Sequence, residues 1–438
     1  MKFLNSNIFE TPYADTLLDR FLKYVKIHST SSSQRADEGI IPSTPQQREF
    51  ADVIAQELRI IGFEEVTVTE NSYVYAYIPA TPGKEDIKPF CILSHLDTSE
   101  EVSGENVNPQ IIRKYDGRTI VLAQGSVLDP REDKELFKAG QQEDTIITSD
   151  GNTLLGADDK AGLAEIVTAL EFILKHPEIE HGKIEVCFSP DEETGHGMDK
   201  VPLNLIQSKM AYTVDGGTCG ELETECFNAY KSEITFTGIA CHTGTARGQM
   251  VNAISMAAKF LELLPQTERP ETTDGYQGFF APMQITGSIE NARLVVFLRD
   301  FETTGMERRK KLIETIAQTV ASSTGGKAEV SHTLQYLNMR NNMEKNPQVV
   351  DSIVKAYKNS NILPVFPPIR GGTDGSRLTE MGIPTPNIFT GGHNFHSRTE
   401  WASFSSMIKA TEVIIQLAQI QAHSDFMSQM QTDNIFTD

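Results

Sequence analysis

The sequence predicts an α/β fold interrupted by a smaller α+β unit. Three observations lead there. Apolar runs of strand length flank an amphipathic helix, and each ends in a short polar string: 89–94 runs into His95, 183–189 into Asp191, and 210–214 into Asp215. In open α/β sheets, functional side chains gather beyond the carboxyl ends of the strands. Near Phe227 the pattern changes to strand, helix, strand, strand, helix, strand, and the α/β pattern then resumes. Finally, 438 residues exceed one ordinary core and suggest roughly two to three domains. The expected division is a discontinuous first domain, 1–226 with 338–438, and an inserted domain, 227–337.

The elements follow in order. Residues 17–27 have helical periodicity. Thr44-Pro45 supplies an N-cap and a proline at the first helical position for a helix over 44–61. Residues 65–78 alternate and read as one or two strands, and 89–94 as a buried strand. The stretch 97–151 is the least regular and reads as a long loop with short strands such as 120–122; loops of that length are usually functional. A helix over 160–175 places Leu163, Ile166, Val167, Leu170 and Ile173 on one face. In the inserted domain, 231–237 alternates strictly, 251–264 is a helix stopped by Pro265, and 278–289 and 293–300 are strands. A helix over 304–323 is stopped by Gly325-Gly326, and 328–337 is the last strand. Helices over 347–359 and 405–423 close the pattern, with a polar tail beyond Ser424 expected to fray.

Acidic residues outnumber basic ones 60 to 39, for a formal charge of −21. That argues against nucleic acid or an anionic membrane as partner. No signal core opens the chain and no apolar run reaches about 18 residues, so a cytoplasmic protein without a membrane span is expected. The five cysteines, Cys91, Cys187, Cys219, Cys226 and Cys241, read as reduced thiols rather than a disulfide frame. Cys219 and Cys226 as metal ligands would have a spacing that fits no tight zinc knuckle.

Five strings could carry chemistry. His95 and Asp97 lie two apart in extended chain and so share a side, where Asp97 could orient the imidazole of a metal ligand. A satisfied surface histidine is the plainer alternative. Asp158 and Asp159 open a helix, where carboxylates are favourable with or without metal. Glu192 and Glu193 follow a strand; adjacent residues in extended chain face opposite ways, so one can hold metal while the other faces substrate. Asp215 precedes Gly216-Gly217, and His396 follows Gly391-Gly392. Each string alone could be structural. Together they supply two histidines and enough carboxylates for two metals and a proton acceptor.

With these strings in hand, the chain resembles the peptidase T family of the dizinc aminoacylase/carboxypeptidase superfamily. The resemblance rests on Ser-His-Leu-Asp-Thr at 94–98, Thr-Leu-Leu-Gly-Ala-Asp-Asp-Lys-Ala-Gly at 153–162, Asp-Glu-Glu-Thr-Gly at 191–195 and Val-Asp-Gly-Gly at 214–217. It rests also on His-Thr-Gly-Thr-Ala at 242–246, Asn-Met-Arg at 338–340, Ile-Arg-Gly-Gly-Thr-Asp-Gly at 369–375 and Asn-Phe-His at 394–396. It implies a zinc-peptidase-like catalytic domain, a mixed central sheet flanked by helices, with a ferredoxin-like βαββαβ lid. It implies an aminopeptidase acting on short peptides, preferentially tripeptides, with two Zn2+ per subunit that Co2+ or Mn2+ could replace. His95 and Asp215 would hold one ion, Glu193 and His396 the other, and Asp158 would bridge them. Asp97 would orient His95, and Glu192 would be the general base. His242 would contact the oxyanion or substrate, in its own subunit or across a homodimer formed through the lid. Arg370 would clamp the peptide carboxylate and Asn338 would contact the peptide backbone.

Two features depart from the family pattern. Thr399 stands where a second histidine is often found, and 274–290 has no clear counterpart. A dipeptidase, carboxypeptidase or N-acyl-amino-acid deacylase of the same superfamily is the nearest alternative, and a non-catalytic peptide-binding relative is another.

Overall fold

The computed structural model describes residues 11–423, so the polar tail lies outside the described residues. The chain divides into two compact units. One contains the residues up to Thr224, Asn342–Phe366 and those from Thr373 on; the other contains Glu225–Asn341 and Pro367–Gly372.

The first unit is built on a seven-stranded mixed sheet. Its strands run, in spatial order, Glu64–Val68, Val74–Ile78, Ile184–Ser189, Phe90–His95, Ala211–Gly216, Asn387–Phe389 and Leu222–Glu223. The four strands from Ile184–Ser189 to Asn387–Phe389 are parallel, and the outer ones are antiparallel. Strands covered on both faces read as continuous apolar runs, and all six residues of Phe90–His95 are buried. The pleat sends Phe90 and Ile92 into the larger core and Cys91 and Leu93 into a smaller one on the other face. The helix Ala157–Lys175 lies in the larger core with Ala14–Tyr24, Pro347–Asn359 and Phe404–Ala422. It is buried almost all round, as a central helix should be.

The irregular stretch 97–151 is more ordered than its sequence suggests. It holds the short strands Gln110–Ile112, Ile120–Val121, Val127–Leu128 and Ile146–Thr148 and a helix, Lys134–Gln141. Asp133 caps that helix by accepting from the N–H groups of Glu135 and Leu136. Only Leu136 and Ala139 of it are buried, too few to leave a readable period. A four-stranded sheet, ordered Gly392–His393, Trp401–Ser403, Ile146–Thr148 and Gln110–Ile112, ties this stretch to the segment after His396.

The second unit is a four-stranded antiparallel sheet ordered Phe279–Gly287, Asn291–Asp300, Asn228–Thr237 and Lys327–Tyr336. Its helices Ala253–Leu263 and Thr303–Thr324 contribute Met256, Phe260, Ile313 and Val320 to a core with Phe236, Leu294 and Leu298. The element order is strand, helix, strand, strand, helix, strand. Pro367–Gly372, placed with the first domain on sequence, groups with this second unit instead. The physical reason is hydrogen bonding: Ile369 exchanges backbone bonds with Glu225 and Phe227.

All five cysteines are free. Among the described residues, no helix is long and apolar enough to cross a membrane.

Candidate metal centre

The parallel strands of the first unit deliver polar groups to one edge. His95 ends Phe90–His95, in register with Ser189, and the turn after Ser189 carries Asp191, Glu192 and Glu193. Asp215 lies near the end of Ala211–Gly216, and His396 follows Asn387–Phe389 and the short strand Gly392–His393. Asp158 sits where the central helix begins, with non-helical backbone at Asp158 and Asp159.

Asp158 lies between the two imidazoles. Its Oδ1 is 2.8 Å from His95 Nε2 and its Oδ2 is 3.1 Å from His396 Nε2. His95 Nε2 is also 3.5 Å from Asp215 Oδ1, and His396 Nε2 is 2.9 Å from Glu193 Oε2. Ligand atoms of His95, Asp158 and Glu193 lie within 4.8 Å of one another, and so do those of His95, Glu192 and Asp215. The donor set of imidazole and carboxylate suits a divalent metal. Glu193 Oε1 is buried without a hydrogen-bond partner, an atom that a cation would satisfy.

Tight backbone contacts support these side chains. His95 Nδ1 donates to the Asp97 carbonyl at 3.0 Å, fixing which nitrogen faces Asp158. The Asp97 carboxylate accepts from Glu192 N and Glu193 N at 3.0 and 3.2 Å. Asp215 N donates to Asn387 Oδ1, and Asn387 Nδ2 to Glu223 Oε2. Asp191, at φ 60°, is held by Ser43 and Gln47.

Comparison with known proteins places the chain in a family. The model of peptidase family M20/M25/M40 matches residues 146–420. A peptidase T of Listeria innocua is 45% identical over 409 residues, which is 93% of this chain and 98% of that one. The chain belongs to peptidase family M20/M25/M40, in its peptidase T branch. Two solved structures share its fold. Aminopeptidase PepT from Bacillus cereus matches with a TM-score of 0.72 at 23% identity, covering 93% of this chain and 99% of that one. A dinuclear metal binding peptidase from the M20 family, from Bacillus subtilis, matches with a TM-score of 0.63 at 15% identity, covering 93% and 98%.

The electrostatics of this M20 peptidase show groups crowded together. Burial, reinforced by Asp158, pushes the Glu193 carboxyl up to about 8 against the opposing pull of His396. Burial pushes Asp215 up to about 6, with Asp158 adding to it and His95 opposing. Glu192 is pushed well above the carboxylate range by burial and by the charges of Asp215, Asp374 and Glu193. Burial works to raise Asp158 too, but the imidazoles of His396 and His95 outweigh it and hold the carboxyl below its usual range. His396 is raised to about 11 by Asp158 and Glu193. So many acids around two imidazoles favour bound cations.

The remaining candidates lie in the second unit. His242 is exposed and caps the short turn Thr243–Thr245, its Nδ1 accepting from Gly244 N at 3.1 Å. Asn338 Oδ1 accepts from Cys226 N and Arg340 N, and its Nδ2 donates to the Phe301 carbonyl. The Arg370 guanidinium donates to the carbonyls of Thr273, Gly275 and Gln277 and to Thr273 Oγ1. It also lies over the rings of Phe227 and Phe279. Arg370 and Asn338 therefore brace their own unit here.

Residues to which sequence reasoning assigned no role of their own in the site also line it. Asp159 Oδ2 accepts from His95 N, and Asp374 accepts from Ser189 Oγ, two residues before Asp191. Asp374 stands inside the 369–375 string, which was its available signal. Gln47 and Glu400 carried none.

Proposed function

We propose that this chain is a dizinc aminopeptidase that removes the N-terminal residue from short peptides, preferentially tripeptides. One observation carries the reading: the two oxygens of Asp158 address two different imidazoles, the geometry of a bridging carboxylate. His95 and Asp215 would hold one ion and Glu193 and His396 the other. The dinuclear metal binding peptidase from Bacillus subtilis supports the count of two. The peptidase T relatives and the PepT aminopeptidase support the reaction. Bound there, the cations would supply a water acidic enough to attack at neutral pH and would polarise the scissile carbonyl.

Glu192 is the proton carrier in this scheme. It follows Asp191 and precedes the ligand Glu193, so one turn of backbone presents base and ligand together. It accepts a proton from the attacking water and passes it to the leaving amine as the C–N bond breaks. Short peptides supply the substrate, and His242, Asn338 and Arg370 are the proposed peptide contacts. For Arg370 to take a carboxylate, segment 273–277 must release the guanidinium. Pairing through the second unit would make a homodimer.

The test is turnover of an unblocked tripeptide beside its N-acetylated and C-amidated forms by metal-reconstituted protein. Release of the first residue from the free peptide alone supports the aminopeptidase. Cleavage of the acetylated peptide moves the chain to a deacylase or carboxypeptidase. A Glu192→Gln variant that binds metal normally yet turns over about 10²–10⁴-fold more slowly supports the base assignment; near-normal turnover removes it.

A further inference from the structure

Glu400 is a buried carboxylate, 1% exposed, outside the candidate ligand set. Its Oε2 accepts from Leu155 N at 2.7 Å and Gly156 N at 2.8 Å, and its Oε1 accepts from Asp158 N at 3.2 Å. One side chain thus gathers three backbone donors of the turn that presents Asp158. The N-cap position of the following helix is Gly156, which has no side chain to do this work.

The other end of Glu400 is equally fixed. Its N–H donates to the Ser397 carbonyl at 3.3 Å, one residue after His396. Its carbonyl accepts from Thr148 Oγ1 at 2.9 Å. The next residue, Trp401, begins a strand paired with Ile146–Thr148, in the register Trp401 to Thr148. Main chain and side chain of one residue therefore join the loop carrying His396 to the turn carrying Asp158.

We propose that Glu400 is a positioning residue for the metal centre. It sets the separation of Asp158 and His396, and so the fit of the ion they share. The proposal rests on the dinuclear reading above. Groups that hold metal ligands in place typically change metal affinity or activity by about 10- to 100-fold when removed.

Glu400→Gln makes a selective test. The amide oxygen can keep the two short bonds from Leu155 and Gly156, but its NH2 then faces the Asp158 N–H, donor against donor. Metal affinity is read by competition with a chromophoric chelator, using Zn2+ and Co2+ on the full chain. Thermal unfolding of the metal-free protein is read alongside, with Asp158→Asn as control. The expected result is a weaker-bound ion lost about 10- to 100-fold more readily in Glu400→Gln, while the metal-free melting temperature stays near wild type. Wild-type affinity for both ions in Glu400→Gln, with Asp158→Asn impaired, overturns the inference and leaves the dinuclear reading intact. A melting loss with both ions weakened equally also overturns it, because that is a general structural role. Unchanged metal binding in Asp158→Asn overturns the dinuclear reading itself. If Glu400→Gln does not fold, Glu400→Asp, one methylene too short to span to Asp158, takes its place with the same expected and overturning results.

Discussion

The carboxylate of Asp97 receives the backbone N–H of Glu192 at 3.0 Å, and its other oxygen receives that of Glu193 at 3.2 Å. The same residue's carbonyl accepts from His95 Nδ1. Asp97 thus links the strand end carrying one candidate ligand to the turn carrying another and the candidate base. The sequence assigned it only the orientation of His95, because the turn at Glu192 is about 95 residues away and topology alone brings it near.

Asp97→Asn keeps the shape but replaces one acceptor with an NH2 that must face an N–H. The expected loss is about 10- to 100-fold in metal affinity, with a similar or larger fall in kcat. Chelator competition and steady-state kinetics on one preparation check it. Wild-type values for both would reduce Asp97 to packing.

Much of the site was legible because its signals are local. An apolar run ending in histidine or aspartate states both the strand and the direction in which its last side chains emerge. That is how 90–95 and 211–216 place His95 and Asp215 at one edge of the sheet. The supporting residues were not legible. Gln47 lies in the first turn of a helix, where glutamine is ordinary, and Glu400 sits in a run of polar residues. Both are buried, at 0% and 1% exposure, by elements distant in sequence. Arg370 differs in another way. The resemblance implies a carboxylate clamp there, and its bonds to the carbonyls of 273–277, set by a segment about 95 residues away, were not legible beside it.

Gln47 leads to a second prediction. Its amide donates to Asp191 Oδ1 at 2.7 Å while its oxygen accepts from Asp191 N at 2.9 Å. Gln47→Leu fills the volume but leaves a buried N–H without a partner, which costs about 1–3 kcal/mol. Because Asp191 starts the turn bearing Glu192, kcat should fall by roughly tenfold while KM changes little. Denaturant unfolding and kinetics check the two effects separately; an unchanged kcat would detach the turn's geometry from the chemistry.

The crowded acids make metal binding depend on pH. Burial first, then Asp158, pushes Glu193 up to about 8; burial pushes Asp215 up to about 6; His396 is raised to about 11 by Asp158 and Glu193. All three must be unprotonated to hold a cation, so binding expels protons and affinity weakens as pH falls from 8 to 6. Each expelled proton contributes roughly tenfold per pH unit. Calorimetric titration in two buffers of different ionisation enthalpy measures the number released. Affinity independent of pH across that range would contradict the ligand set. Stripping the metal should also lower the melting temperature, since a ligand at 100 times its Kd stabilises by about 2.7 kcal/mol.

His393 should contribute a separate, acid-side loss of stability. Its ring stacks on Trp401, with centroids 4.2 Å apart and planes 27° apart, and burial depresses it to about 4 despite the opposing charges of Asp133 and Glu135. An unfolded histidine titrates near 6.5. Above that value both states are neutral and the group has no effect. Between about 6.5 and 4 the unfolded chain binds a proton that the folded chain refuses, so stability falls as pH falls. The limit is about 3 kcal/mol, and partial exposure of the ring reduces it to about 1–2 kcal/mol. His393→Phe keeps a ring against Trp401 but cannot take the proton. Urea unfolding of wild type and variant at pH 7.5 and 4.5 should show the variant losing less stability on acidification, by that difference. Equal losses in the two proteins would mean that the stacked ring titrates as it does in the unfolded chain.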